Sequence, residues 1–362
     1  MSALQQKAKK YKNLLAEMVE FGRELDEAIK DSPSSEPNES AFNWTPGERE
    51  RSGLKPIRHQ DIWEVRKTIE ALHWTAQEVS FDADQRDWRD RMTPDQRHYV
   101  KMQLGFFAYA DIDVVQGLDD VCAGVDCLEA QMAYAAQKDQ ECTHAESYAL
   151  QIDALLTGAE RQETIDMVQS LPVLAKMQAW ARRCFDRKLP MGERLVAFAA
   201  VEGILFSSSF AAFQWLRELN LLPGIVQLND FISRDEGIHC GYSCLLLRKY
   251  IRRRPPQTQV HAIFTEAVEI VDNFVKEALP VKLIGMNCDL MIQYVHYQAD
   301  VVLANMAYRA IWHVENPLPF MDKQALNKTA KTNFFELVPT QYQNVTKPEQ
   351  SRFAVDKSPV VW

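Results

Sequence analysis

Apolar residues recur at three- and four-residue spacing through most of this chain. Tyr11, Leu14, Leu15, Met18 and Val19 open the pattern at i, i+3, i+4, i+7 and i+8, and Leu25 and Ile29 continue it. That period predicts an amphipathic helix over residues 4–30. The stretch "DSPSSEPNESAFNWTPGERERSGLKP" (31–56) loses the period and is rich in Ser, Pro and charge, as expected of a linker wrapped around the outside. From residue 59 helix follows helix, over 59–73, 94–121, 125–155, 160–185, 190–218, 224–252 and 258–312, the last broken near Pro280. Alternating β-branched runs are few and there are only 13 glycines, so the expected class is all-α. The final segment, "NKTAKTNFFELVPTQYQNVTKPEQSRFAVDKSPVVW", has no helical period but carries Phe, Tyr, Val and Trp, which suits a docking peptide. The parse is an N-terminal helix and linker (1–57), one helical bundle domain (58–325) and a C-terminal tail (326–362).

Polar residues that interrupt the apolar faces carry the chemistry. In "RLVAFAAVEGILFSSSFAAFQWLR", Glu202 is the only charged residue between Arg194 and Arg217. The length would span a bilayer, but the serines, the glutamate and the polar flanking helices favour a buried bundle helix. A carboxylate buried there must be neutral, paired or bound to metal. The same argument requires Asp111 or Asp113 of "GFFAYADIDVV" to face inward, and the pattern does not choose between them.

Residues three apart on a helix share a face, so a Glu-x-x-His pair can offer oxygen and nitrogen to one metal ion. Three such pairs occur, Glu70–His73, Glu141–His144 and Glu236–His239, where eight histidines would give about half a pair by chance. Glu70 and His73 sit in a charged amphipathic stretch and read as a solvated face. The other two pairs are flanked by apolar turns. Four carboxylates, two neutral imidazoles and two divalent metals form a neutral set, which can be buried. Two Glu-x-x-His helices and two single-carboxylate helices match a ferritin-like bundle with a dimetal-carboxylate site. Its oxygen-rich donors suit iron or manganese better than zinc.

Composition narrows the setting. The chain has 362 residues, 46% hydrophobic and 25% charged, enough for a large core. A net charge of −9 argues against nucleic acid as the partner. Seven scattered cysteines without zinc-type pairing fit reduced thiols in the cytoplasm. The N-terminal stretch lacks an apolar core followed by a small-residue cleavage site, so no secretory signal is read and no membrane role is expected.

Across residues 58–345 the chain resembles the radical-bearing small subunit of class I ribonucleotide reductase, of the eukaryotic-like type. The resemblance is carried by "DIWEVRKTIEALHWTAQEV", "FFAYAD", "ECTHAESY", "GERLVAFAAVEGILFSSSFA", "ISRDEGIHC", "EALPVKLIGMN" and "KTNFFE", in that order. It implies that Asp111, Glu141, His144, Glu202, Glu236 and His239 hold two metal ions, iron with manganese as the other choice. It implies that Tyr148 becomes a stable tyrosyl radical in a pocket of Phe206, Phe210 and Ile232. Trp74, with Asp235 and His144, matches the route from metal site to surface, and Tyr342 the tyrosine that passes the radical to the large subunit. The implied activity is ribonucleoside-diphosphate reduction, with a homodimer docked to the large subunit through its tail. The alternative is a ferritin-like dimetal oxidase or iron-handling protein with no reductase partner.

Departures from the family pattern are local. Gln77 and Ser80 stand where relatives commonly carry acids, and the loop between Asp111 and Glu141 is one residue shorter. The tail keeps "FAVD" but ends in "KSPVVW" in place of an acidic segment and terminal Phe.

Overall fold

The computed structural model describes residues 41–44, 47–48, 51–277 and 286–324. The helix expected over 4–30, the break near Pro280 and the tail with Tyr342 lie outside the described residues. Among them the fold is all helical, the one extended pairing being a bridge between Phe42 and Ile251. The helices are α1 (Gln60–Ala71), α2 (Asp82–Asp90), α3 (Pro94–Cys122), α4 (Leu128–Leu155), α5 (Gly158–Gln169) and α6 (Pro172–Cys184). After them come α7 (Met191–Ala200), α8 (Ser207–Glu218), α9 (Pro223–Leu245), α10 (Gln257–Glu277), α11 (Cys288–Asn305) and α12 (Pro319–Gln324).

Local chemistry explains where the helices start. Thr93 and Thr157 each accept the N–H of the third following residue, while Gln96 and Glu160 reach back, closing capping boxes on α3 and α5. Pro94, Pro172 and Pro223 each occupy the first turn, where a missing N–H is harmless. Pro172 is also why the stretch expected as one helix over 160–185 is two.

Helix α2 does not appear in the apolar pattern, because "DADQRDWRD" is polar on nearly every side. It is held by what it does for another helix. Asp84, fully buried, accepts the N–H groups of Gly224 (3.0 Å) and Ile225 (2.8 Å), and Asp87 accepts that of Leu222 (3.0 Å). Two carboxylates thus satisfy the open N–H groups at the start of α9. Gly224 permits the approach, since a Cβ there would lie 2.7 Å from both Asp84 Oδ2 and Ser80 O.

The segment Met191–Glu218, long and apolar enough to cross a bilayer, has 94% of its apolar window buried by the protein. It is one helical rod whose middle, Val201–Leu205, widens into a π turn bearing Glu202. The helix expected over 258–312 ends at Asn305, because the Asp300 carboxylate accepts the N–H groups of Ile311 (2.7 Å), Trp312 (3.1 Å) and His313 (2.6 Å) and turns the chain back. The end of the linker is pinned to the bundle, with Phe42 fully buried and stacked on Trp44, which packs against Tyr250.

Candidate metal centre

Helix α4 presents Gln137, Glu141, His144 and Tyr148 at successive turns of one buried face. Helix α9 presents Asp235, Glu236 and His239, all buried, and the π turn supplies Glu202. Donor atoms of Glu141, Glu202, Glu236 and His239 lie within 4.8 Å of one another. His144 closes the group, its Nδ1 3.2 Å from Glu141 Oε2 and 3.1 Å from Glu236 Oε1. His239 Nδ1 sits likewise, 2.8 Å from Glu141 Oε1 and 3.0 Å from Glu236 Oε2. Both imidazole nitrogens therefore point between two carboxylates. Asp111 belongs to α3, and its side chain lies outside the described residues, as does that of Asp113. Glu70 stays on the surface, paired with Arg66 and Lys67.

The electrostatics ask for cations. Burial alone would push His144 down, but Glu236, Asp235 and Glu141 hold it well above its ordinary value. His239 is pulled down by burial and raised, to about 9, by Glu141 and Glu236. Burial would raise Glu236, yet the two imidazoles hold its carboxyl below the ordinary range. A dry set of carboxylates keeps its charge only beside positive charge. Oxygen-rich donors with two imidazoles and no thiolate suit iron or manganese, so the residues present fit a metal pair.

Each imidazole is fixed from behind. His239 Nε2 lies 2.9 Å from Gln140 Oε1, and His144 Nε2 lies 3.4 Å from Asp235 Oδ2. Ring nitrogens held on one side turn the other toward the metal pocket. The Trp74 indole N–H donates to the same Asp235 Oδ2 (2.7 Å), and the Trp74 ring stacks 6.0 Å from His144. Arg234 grips the other carboxylate oxygen (2.8 and 3.0 Å) and donates to the Leu72 carbonyl. Burial would raise Asp235, but His144, Arg234 and Trp74 together hold it below its ordinary value.

Tyr148 is completely buried one turn beyond His144. Its ring stacks on Phe107 at 4.5 Å and 7°, and Phe206 (5.7 Å) and Phe210 (5.2 Å) pack against Phe107. Phe206, Phe210 and Ile232 are all buried. The phenol O–H donates to Asn229 Oδ1 (3.2 Å), while Asn229 Nδ2 donates to the Ile225 carbonyl (2.9 Å) and Gln151 Oε1 (3.2 Å). Phe107, Asn229, Gln140 and Arg234 escaped the sequence reasoning. Three of them have a signal in register with a residue that was found: Phe107 is one turn before Asp111, Gln140 one turn before His144, and Arg234 adjoins Asp235; Asn229 has none. The departure at Gln77 also has a partner, since its amide donates to the exposed Glu146 (2.5 Å), where an acid would repel.

With this geometry in hand, the chain matches the sequence profile "Ribonucleotide reductase, small chain" over residues 51–317. It is 41% identical over 309 residues to the ribonucleoside-diphosphate reductase small chain of African swine fever virus (isolate Tick/South Africa/Pretoriuskop Pr4/1996), covering 84% of this chain and 94% of the viral one. It is 39% identical over 305 residues to the same-named chain of vaccinia virus (strain Ankara), covering 83% and 94%. Among solved structures, the ribonucleotide reductase Rnr4 homodimer from Saccharomyces cerevisiae superposes with a TM-score of 0.72 at 26% identity, covering 88% of this chain and 98% of the yeast one.

Proposed function

The chain belongs to the ribonucleotide reductase small-chain family, and from that premise we propose that it is the radical-generating subunit of a ribonucleoside-diphosphate reductase. One observation carries the reading: carboxylates and an imidazole from three separate helical segments converge in a dry pocket whose charge calls for metal. Glu141, His144, Glu202, Glu236 and His239, with Asp111, would hold two iron ions, manganese being the other metal that suits the donors. When bound, such a pair supplies oxidising equivalents drawn from dioxygen that turn a tyrosine into a radical.

The chain's own residues do the rest. Gln140 and Asp235 orient the two imidazoles toward the pocket. Tyr148 stores the oxidising equivalent, and Phe107, Phe206, Phe210 and Ile232 keep water and reductants from the phenol. Asn229 fixes the phenol oxygen by accepting its proton in a hydrogen bond. Trp74, Asp235 and His144 form a continuous polar path toward α1, with Asp235 held as a carboxylate that can receive the indole proton. Tyr342, in the tail over 326–362, takes the radical to the large subunit, and the tail is the docking element. A homodimer is supported by the yeast relative, which is one. Seven free cysteines support a reducing, cytoplasmic setting.

Loading the protein with ferrous iron and then oxygen should give a tyrosyl signal in electron paramagnetic resonance. Tyr148→Phe should lose the signal at unchanged metal content, and Tyr342→Phe should keep the signal but stop turnover with the large subunit. No signal with either iron or manganese refutes the assignment. The oxidase alternative leaves the Trp74–Asp235–His144 connection without a purpose.

A further inference from the structure

The π turn at Val201–Leu205 carries Glu202 on a stretch where the regular helical ladder is interrupted, so the turn takes its shape from what surrounds it. It is seated in a notch. Gly203, the residue after Glu202, approaches α9 and α11 so closely that no side chain fits. A Cβ there would lie 2.6 Å from Cγ2 of Val302 and 3.0 Å from Sγ of Cys240. Neither wall gives way easily. Val302 is buried, and its branched side chain has one favoured rotamer in a helix. Cys240 is buried too, and its thiol donates to the Ala199 carbonyl (3.5 Å), two residues before the turn.

Position makes the notch part of the metal pocket. Gly203 follows Glu202 directly, and Cys240 follows His239, so the contact between them joins two segments that each bear a donor of the pocket. Through Ala199 the same thiol also holds the end of α7, from which the π turn springs. Val302 closes the notch from α11, a helix that carries none of the proposed ligands. We infer that Gly203, Cys240 and Val302 are positioning residues for Glu202. They set how closely the π turn approaches α9, and so hold the Glu202 carboxylate among Glu141, Glu236 and His239. Relieving the Val302 contact from 2.6 Å to an ordinary 3.4 Å requires a shift of about 0.8 Å. A ligand set must hold its groups to within about 0.5 Å, so one added methyl exceeds what the pocket tolerates. Side chains elsewhere in the turn can vary, but this position has none to exchange. The inference rests on the metal-binding function proposed above.

The test titrates the full-length, metal-free protein with manganese(II), read by calorimetry and by paramagnetic resonance. Gly203→Ala should weaken manganese affinity roughly tenfold, the scale expected when the support behind a ligand is lost. It should also raise the share of isolated manganese ions over paired ones. Adding Val302→Ala should restore most of the affinity, because the nearest atom left at that residue is its Cβ, 3.7 Å from the new methyl. A merely structural fault would lower the melting temperature of the metal-free protein and leave the manganese spectrum unchanged. Cys240→Ala opens the other wall, adds no atom and should also weaken binding, which keeps the test decisive if Gly203→Ala folds poorly. Wild-type affinity in a folded Gly203→Ala protein overturns the inference. So does a double variant as weak as the single one, or wild-type affinity in Cys240→Ala. If the unaltered protein binds neither manganese nor iron, the metal-binding function itself fails and the inference falls with it.

Discussion

Two buried clusters in this molecule use the same residue types and reach opposite ends. Glu48, His59 and Cys127 also bring donor atoms within 4.8 Å of one another and are buried. There, however, Arg51 forks onto Glu129 (2.7 and 2.8 Å) and lies 3.6 Å from Glu48, while Arg58 lies 3.2 Å from Glu48 and gives its backbone N–H to Glu129. Two guanidiniums answer two carboxylates, and burial pushes the Cys127 thiol up to about 12, so no thiolate is offered. At the metal pocket, among the described residues, Glu141 and Glu236 lie against the two imidazoles, Glu202 accepts from Gln137, and the Arg234 guanidinium is turned to Asp235. The difference lies in which cations the chain itself supplies. A cluster completed by arginine is a fastener, here tying the end of the linker to α4. A cluster left short of positive charge is a site.

The largest expected effect breaks the second cluster. Glu202→Ala should abolish metal uptake and the radical, measured by metal analysis and paramagnetic resonance, whereas Glu70→Ala should change neither. Equal losses would mean that charge deficit does not distinguish a site from a surface pair. Next, Arg51→Met should leave Glu129 buried without its partner and lower stability by about 1–3 kcal/mol in denaturant titration. Added ferrous or zinc ions should not restore it; rescue by metal would erase the contrast between the clusters. The smallest effect belongs to a surface pair. The backbone N–H of Thr157, together with Lys101 and the Thr157 hydroxyl, holds Glu160 down at about 2 from an ordinary 4.5. Its folded value is the lower one, so its contribution is present above about 4.5 and lost as the pH falls toward 2. Glu160→Gln should flatten that part of the acid-unfolding curve and leave metal binding at neutral pH untouched.

The sequence made the helical class and the ligand pairs legible because both rest on short-range periodicity. Glu141 and His144 are neighbours by helix geometry alone, and the isolation of Glu202 in an apolar run is visible without coordinates. What stayed hidden depends on distant partners. Helix α2 has no apolar face to detect, since its purpose is to present Asp84 and Asp87 to the start of α9, more than a hundred residues later. Asn229 meets Tyr148 from another helix, and nothing in its own surroundings marks it. The end of α11 was overrun because Asp300 stops the chain through backbone contacts that no apolar pattern records. Asp111 was preferred to Asp113 by resemblance, while the periodicity left both open.

The π turn at Val201–Leu205 has a further consequence, best put in terms of phase. A helix advances about 100° per residue, so a turn holding one residue more than its neighbours offsets every side chain that follows. Glu202 lies within that offset, and Phe206 and Phe210 lie after it. Their sharing of one interior is therefore a matter of count as much as of chemistry. The segment can exchange one apolar side chain for another and keep its shape. It cannot lose or gain a residue without turning the aromatic wall away from the tyrosine, so the tolerance of this site to change is a tolerance of identity and not of length.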